Sequence, residues 1–210
     1  MALDRWFNRG VDANAWDARY AAADLVWSAG PNQFVESECA GLTPGRALDL
    51  AAGEGRNAIW LARRGWDATA VDFSQVALDK GRQVAGGIEV TWVCADATRW
   101  ASEPVFDLVV VAYLQLPAEE RRAALRAGFA SLAPGGTLLV VAHDSTNLAE
   151  GTGGPQDPSV LYTAEDVLAD LDGLPVQVER AERVGRVVEA GHGGDDARTA
   201  YDCLVRVRRG

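Results

Sequence analysis

Stretches with strand and helix patterning alternate along this chain. That alternation restricts it to a mostly parallel, doubly wound α/β sheet, because each right-handed crossover lays its helix on a face of the sheet. Residues 46–50, 67–72, 88–94, 106–113 and 137–142 are apolar or β-branched strand candidates. Residues 56–64, 74–84 and 117–132 carry apolar side chains at helical spacing, and 163–173 opens on the capping sequence Thr163-Ala-Glu-Asp166. The glycines and proline of Ala133-Pro134-Gly135-Gly136 are expected to stop the third of these helices before the next strand. Two final strands, 176–188 and 200–207, have no helical pattern between them and predict an antiparallel C-terminal hairpin. The expectation is a single α/β domain over residues 1–210, with a mostly parallel seven-stranded sheet and helices on both faces. Residues 1–45 form its cap and 46–210 its ligand-binding core. A chain of 210 residues is long enough to bury a substantial core without disulfides or metals.

Within that frame, Arg46-Ala-Leu-Asp-Leu-Ala-Ala-Gly-Glu-Gly-Arg-Asn57 reads as a strand, a glycine turn and the start of a helix. Gly53 and Gly55 let the backbone turn sharply and lie close to a ligand, beside helix amides that have no partner. Asp49 sits near the carboxyl end of its strand, the end at which open α/β sheets bind ligands. Asp72 and Asp96 follow the next two strands, so three carboxylates gather at one edge. Asp72 stands at about the separation from Gly55 at which a carboxylate meets ribose hydroxyls in nucleotide folds, with helix capping as its plainer role. Asp96 can accept from an adenine amino group while the neighbouring amide at Ala97 donates to a ring nitrogen; an Asx turn is the alternative.

Two ligand classes fit this turn. Gly53-Glu-Gly55-Arg-Asn-Ala58 satisfies the G-x-G-x-x-G/A pattern of nicotinamide enzymes. A pyrophosphate, however, wants amides without carboxylates, whereas a sulfonium amino acid brings an ammonium that Asp49 can neutralise. The chain also has no Tyr-x-x-x-Lys pair; Lys80 is its only lysine. A nicotinamide oxidoreductase therefore stands as the alternative reading.

A net charge of -10 and a pI near 4.7 repel phosphate backbones, so a small-molecule partner is expected and nucleic acid is not. Arg206, Arg208 and Arg209 alternate with valine and read as a solvated strand face. Cys39, Cys94 and Cys203 lie far apart without metal-ligand spacing and are expected to be buried, reduced thiols, with no metal. Neither a secretory signal core nor an apolar stretch of membrane-spanning length is found, which makes a cytoplasmic monomer or homodimer the expectation.

Taken in order, these motifs resemble those of class I S-adenosylmethionine-dependent methyltransferases, whose fold is Rossmann-like. The residues carrying the resemblance are Asp49-Leu-Ala-Ala-Gly53-Glu-Gly55, Val71-Asp72, Ala95-Asp96-Ala97, the stretch from Phe106-Asp107 to Tyr113, and Leu132-Ala-Pro-Gly-Gly136. Ala51 stands where the first motif most often has glycine. The resemblance implies S-adenosylmethionine as the cofactor, with S-adenosylhomocysteine as product, held by Asp49, Ala51, Gly53, Gly55, Arg56, Asn57, Asp72, Phe73, Asp96, Ala97 and Tyr113. A non-catalytic S-adenosylmethionine-binding protein is the further alternative. Arg56-Asn57-Ala-Ile-Trp-Leu-Ala and the aromatic N-terminal segment look most like the tellurite-resistance and thiopurine-type small-molecule methyltransferases.

On that footing the acceptor is a small molecule: a soft nucleophile such as a thiol, halide or chalcogen oxyanion, or a small aromatic or hydroxyl compound. Trp16, Tyr20, Trp27 and Tyr113 are expected to roof the methyl group, and the Gly/Pro/Asn-rich loop 145–159 to help close the site. Tyr113 and His143, beyond the fourth and fifth strands, are candidate catalytic residues. The subgroup resemblance adds His192 and Arg198, matched by order in the hairpin region, as acceptor-facing groups.

Overall fold

The computed structural model describes residues 13–22, 30–188 and 197–210. Its strands are β1 (Arg46–Leu50), β2 (Asp67–Asp72), β3 (Thr91–Cys94), β4 (Phe106–Ala112), β5 (Leu132–His143), β6 (Val176–Val188) and β7 (Arg198–Arg209). They form a seven-stranded sheet ordered β3-β2-β1-β4-β5-β7-β6. The first five run parallel, and β7 enters antiparallel between β5 and β6. Chain order reverses between β1 and β4, which opens a crevice at the carboxyl ends of those strands.

The helices among the described residues are α1 (Ala13–Ala21), α2 (Gln33–Cys39), α3 (Arg56–Arg63), α4 (Gln75–Ala85), α5 (Ala118–Ala130), α6 (Asn147–Glu150) and α7 (Ala164–Asp170). Polar caps start several of them, the expected one at Thr163 included. The Asn32 side chain accepts from the amides of Phe34 and Val35, Ser74 accepts from Ala77, and Thr163 and Asp166 form a reciprocal capping box. The sheet is buried on both faces. In β4, Val109 and Val111 join one core with Leu48, Phe129 and Tyr162, while Leu108 and Val110 join the other with Ala47, Leu61 and Trp66. That two-residue alternation is why the strand reads as a continuous apolar run.

Three details differ from expectation. β5 begins at Leu132 and runs through Pro134-Gly135-Gly136, because a register shift between Phe106 and Leu108 absorbs the proline at an irregularity. A Cβ on Gly136 would stand 2.8 Å from the Phe106 carbonyl oxygen, so only glycine allows that approach. β3 is shorter than predicted, Thr91–Cys94, and Cys94 at the end of this edge strand is exposed, whereas Cys39 and Cys203 are buried. The arginines of β7 serve as ties: Arg206 pairs with Glu179 and Glu38, and Arg208 and Arg209 donate to the carbonyls of Gly135, Ala130 and Leu132.

Candidate active site at the carboxyl edge of the sheet

Two buried acids, Asp49 and Asp72, flank the turn after β1. Asp49 is 1% exposed; its Oδ2 accepts from the Ala58 amide at 3.0 Å, while its Oδ1 has no hydrogen-bond partner. Burial pushes its carboxyl up to about 7, against the Ala58 amide, Arg56 and Asn57, which favour the charged form. Asp72 ends β2, accepts from the Gly53 amide at 2.8 Å and the Ser74 amide at 2.9 Å, and is likewise raised, chiefly by burial. A carboxylate bonded to the glycine turn fixes the turn's position.

Ala51 has φ 64 and Gly53 φ 56, so the turn passes through left-handed backbone. That conformation explains why glycine is common at the position of Ala51 and why alanine there is strained. Gly55, at φ 72, is left-handed as well and meets a second demand. A Cβ on it would meet the Trp92 ring at 2.5 Å, so its missing side chain makes room for β3. Asn57 is buried and its Oδ1 accepts from the Asn32 amide at 2.9 Å, joining α2 to α3. Phe73 is half-buried, and its carbonyl accepts from the Cys94 thiol. Asp96 is exposed and uses Oδ1 for both the amide and the hydroxyl of Thr98, each at 2.8 Å, the Asx turn anticipated as its alternative; Ala97 is buried behind it.

Helix α1 docks on α4 beside this edge. Asp17 accepts from the Ser74 hydroxyl, and Lys80 donates to the Tyr20 carbonyl while standing 4.0 Å from Glu54 of the glycine turn. Trp16 and Tyr20 stack at 5.5 Å, with Tyr20 buried and near enough to Arg56 to act on its charge. Trp27 and His192 lie outside the described residues. Arg198, the first residue of β7, is exposed and opposite Val188 in the hairpin.

A second polar cluster lies beyond β4 and β5, and its centre escaped the sequence reading. Asp202 of β7 is fully buried and sits directly across from His143 in the β5–β7 ladder. Its Oδ2 accepts from the Tyr113 hydroxyl at 2.9 Å and from Arg186 Nε at 3.0 Å. His143 Nδ1 stands 3.2 Å from its Oδ1, at an angle short of a hydrogen bond, so both of those buried atoms lack a partner. Burial pushes Asp202 up, but His143 and Arg186 outweigh it and hold the carboxyl below the usual carboxylate range. Tyr113 is shifted the other way, upward, by burial and then by Asp202, so it stays a neutral phenol. Its φ of 58 is a second strained, non-glycine position at this edge. Its ring lies 4.8 Å from His143, which makes the proposed apolar roof polar at the Tyr113 end.

The connection after β5 is built onto this cluster. Gln115 accepts from the His143 amide at 2.9 Å and donates to the Val160 carbonyl at 2.6 Å. Buried Asn147 holds the carbonyl of Gly153 and the amide of Tyr201. A Cβ on Gly154 would come 3.0 Å from the His143 ring, so the loop backbone packs on the imidazole. Among the described residues no group of three or more His, Cys, Asp or Glu could hold a metal ion, and no helix is long and apolar enough to cross a membrane.

The chain is similar to known proteins in sequence and in fold. A methyltransferase-domain family matches residues 47–136, from β1 into β5. Nodulation protein S of Rhizobium tropici is 30% identical over 179 residues, 80% of this chain and 72% of that protein. In fold, the chain is similar to the N-methyltransferase NodS of Bradyrhizobium japonicum WM9, solved with S-adenosyl-L-homocysteine (TM-score 0.71, 20% identity, 94% and 98% of the two chains). It is also similar to TehB of Haemophilus influenzae (TM-score 0.70, 15% identity), of which it spans 63% while 86% of its own length is covered. The chain belongs to the class I S-adenosylmethionine-dependent methyltransferases, and the nicotinamide reading of its glycine turn is not favoured.

Proposed function

We propose that the protein transfers the methyl group of S-adenosylmethionine to a small-molecule acceptor at the crevice between the Asp49 and Asp202 clusters. The observation that carries this reading is the buried Asp49 carboxyl, whose Oδ1 lacks a hydrogen-bond partner beside the strained turn. An ammonium placed there supplies both the missing partner and the missing charge. Asp72, with Phe73 beside it, takes the ribose, Asp96 and Ala97 border the adenine, and Arg56 and Asn57 start the helix behind the amino-acid end. Residues 1–45 serve as the cap, through Trp16, Tyr20 and Trp27, and 46–210 as the core of one domain. Methyl transfer from a sulfonium is an in-line displacement in which charge disappears, so the protein's contributions are alignment, closeness and exclusion of water.

Two acceptor chemistries divide this reading. Nitrogen is supported by the 30% identity to nodulation protein S and by the likeness in fold to NodS, an N-methyltransferase. The tellurite-resistance and thiopurine-type alternative, with a thiol, halide or chalcogen oxyanion, rests on the Arg56-Asn57 stretch and on the TehB likeness, which is one of fold. Phenols and other hydroxyl compounds share with amines and thiols a proton that must leave. A mass-spectrometric screen of amines, thiols, phenols, halides, tellurite and selenite for methylated product tests the proposal. Product from at least one class is expected, and transfer to none of them with cofactor binding intact overturns it. Asp72→Ala should weaken S-adenosylmethionine binding roughly 10- to 100-fold, the loss expected for charge-assisted hydrogen bonds; an unchanged calorimetric titration removes Asp72 from the site.

A further inference from the structure

We propose that Asp202 and His143 form a proton-accepting pair, in which Asp202 is the positioning residue and His143 takes the proton that the acceptor loses on methylation. The inference rests on the methyl-transfer reading and narrows its acceptor to a nucleophile bearing a proton, an amine before a thiol or phenol.

The geometry leaves each member of the cluster one role. Asp202 is fully buried and ionised, and Arg186 at 3.0 Å balances its charge, so its Oδ2 is committed to Arg186 and the Tyr113 hydroxyl. The one oxygen left over, Oδ1, points at His143 Nδ1. A buried carboxylate oxygen and an imidazole nitrogen 3.2 Å apart, both otherwise unpartnered, are satisfied together only if Nδ1 carries the ring proton. The small rotation that aligns them is of the kind that catalytic hydrogen bonds make when a substrate closes the site. With the proton on Nδ1, Nε2 keeps its lone pair.

Tyr113 cannot compete for the proton, because its hydroxyl is spent on Asp202 and burial keeps it neutral. Among the described residues, the cluster's other ionisable groups are Arg186 from β6, Asp144 next in the chain and Arg56, which acts on Tyr113; the arginines accept no proton, and Asp144 is engaged by the amide and hydroxyl of Thr146. The ring is fixed between Tyr113 and the Gly154 backbone, and its side chain remains 15% exposed, enough to be reached. In the reaction the acceptor's lone pair forms the bond to the methyl carbon as the carbon–sulfur bond breaks and its electron pair stays on sulfur. The acceptor's proton passes to His143 Nε2, and the imidazolium is stabilised by Asp202. A halide has no proton to give, and for it this pair would be idle.

The test does not wait for the acceptor. The chain has two histidines, so a long-range proton–nitrogen correlation spectrum at pH 8, assigned by the signals lost in His143→Gln, reads the tautomer of His143 directly. We expect the Nδ1–H form in the wild type and a mixture of both tautomers in Asp202→Asn. An Nε2–H wild type, or an Asp202→Asn spectrum identical to the wild type, overturns the pair. Should Asp202→Asn fail to fold, the wild-type spectrum still decides. With an amine from the screen, His143→Gln should lower kcat roughly 100-fold while the affinity for S-adenosylhomocysteine holds within about twofold; an unchanged kcat overturns the proposal. Failure of the wild type to bind S-adenosylhomocysteine would take down the methyl-transfer reading and this proposal together. Binding combined with the Nε2–H tautomer removes the pair alone.

Discussion

Asp49 ties the chemistry of the site to the stability of the fold. Its carboxyl is pushed from 3.8 to about 7, so the folded protein binds that proton more tightly than the unfolded chain does. Asp49's contribution to stability is therefore greatest below pH 4, falls as the pH rises toward 7, and is flat above it; the shift corresponds to roughly 4 kcal/mol. Asp49→Asn should abolish most of that slope and raise the stability of the ligand-free protein at pH 7.5, which urea denaturation at several pH values would measure. The same variant should bind cofactor poorly. In the wild type at pH 6, an incoming ammonium ionises Asp49 and releases close to one proton, so the observed binding enthalpy should follow the ionisation enthalpy of the buffer; in Asp49→Asn that dependence should vanish. The places of Asp49 and Asp72 at this edge were legible in the sequence because each lies at the carboxyl end of an apolar strand beside the glycine turn. Asp202 was not, since an acid inside Tyr201-Asp202-Cys203 acquires a role only when β7 lies against β5 and brings it opposite His143. The one available signal was the cost of a carboxylate within an otherwise apolar strand.

At the scale of elements, the glycine turn is held from behind by a small contact surface. Trp92 of β3 lies against Gly55 in the turn and Gly81 in α4, and a Cβ on Gly81 would fall 2.5 Å from that ring and 2.8 Å from the Glu54 carbonyl oxygen. Gly81→Ala should then destabilise the protein by about 1–3 kcal/mol and weaken S-adenosylhomocysteine binding, because the displaced backbone belongs to the turn itself. Gly87→Ala, where a Cβ would meet nothing within 4 Å, is the matched control and should leave both thermal melting and calorimetric affinity unchanged. The existence of each of these elements could be read from periodicity and caps. The extension of β5 through Pro134 could not, since proline and paired glycines signal a stop unless the partner strand shifts register around them.

Over the whole molecule, the docking of α5 and α7 has a buried polar network of its own. Arg121 and Asp170 form a buried ion pair at 2.6 Å between α5 and α7, with Arg122 on the other carboxylate oxygen and Tyr162 against the Arg121 guanidinium. Asp170→Ala strands a buried arginine and should cost about 3–5 kcal/mol, while affinity for S-adenosylhomocysteine, measured well below the melting transition, stays at the wild-type value. The overall topology was legible because alternating strand and helix patterns leave few arrangements open, and the last two strands lacked a helix between them. The sheet order carries one more consequence. β7 lies inside the sheet although it is the last strand in the chain, so during synthesis β5 keeps an open edge and β6 has no partner until residues 198–209 leave the ribosome. The same late arrival delivers Asp202. A nascent chain that has already shaped its cofactor turn still lacks the group that orients His143, and the insertion that closes the sheet is also the event that completes the site.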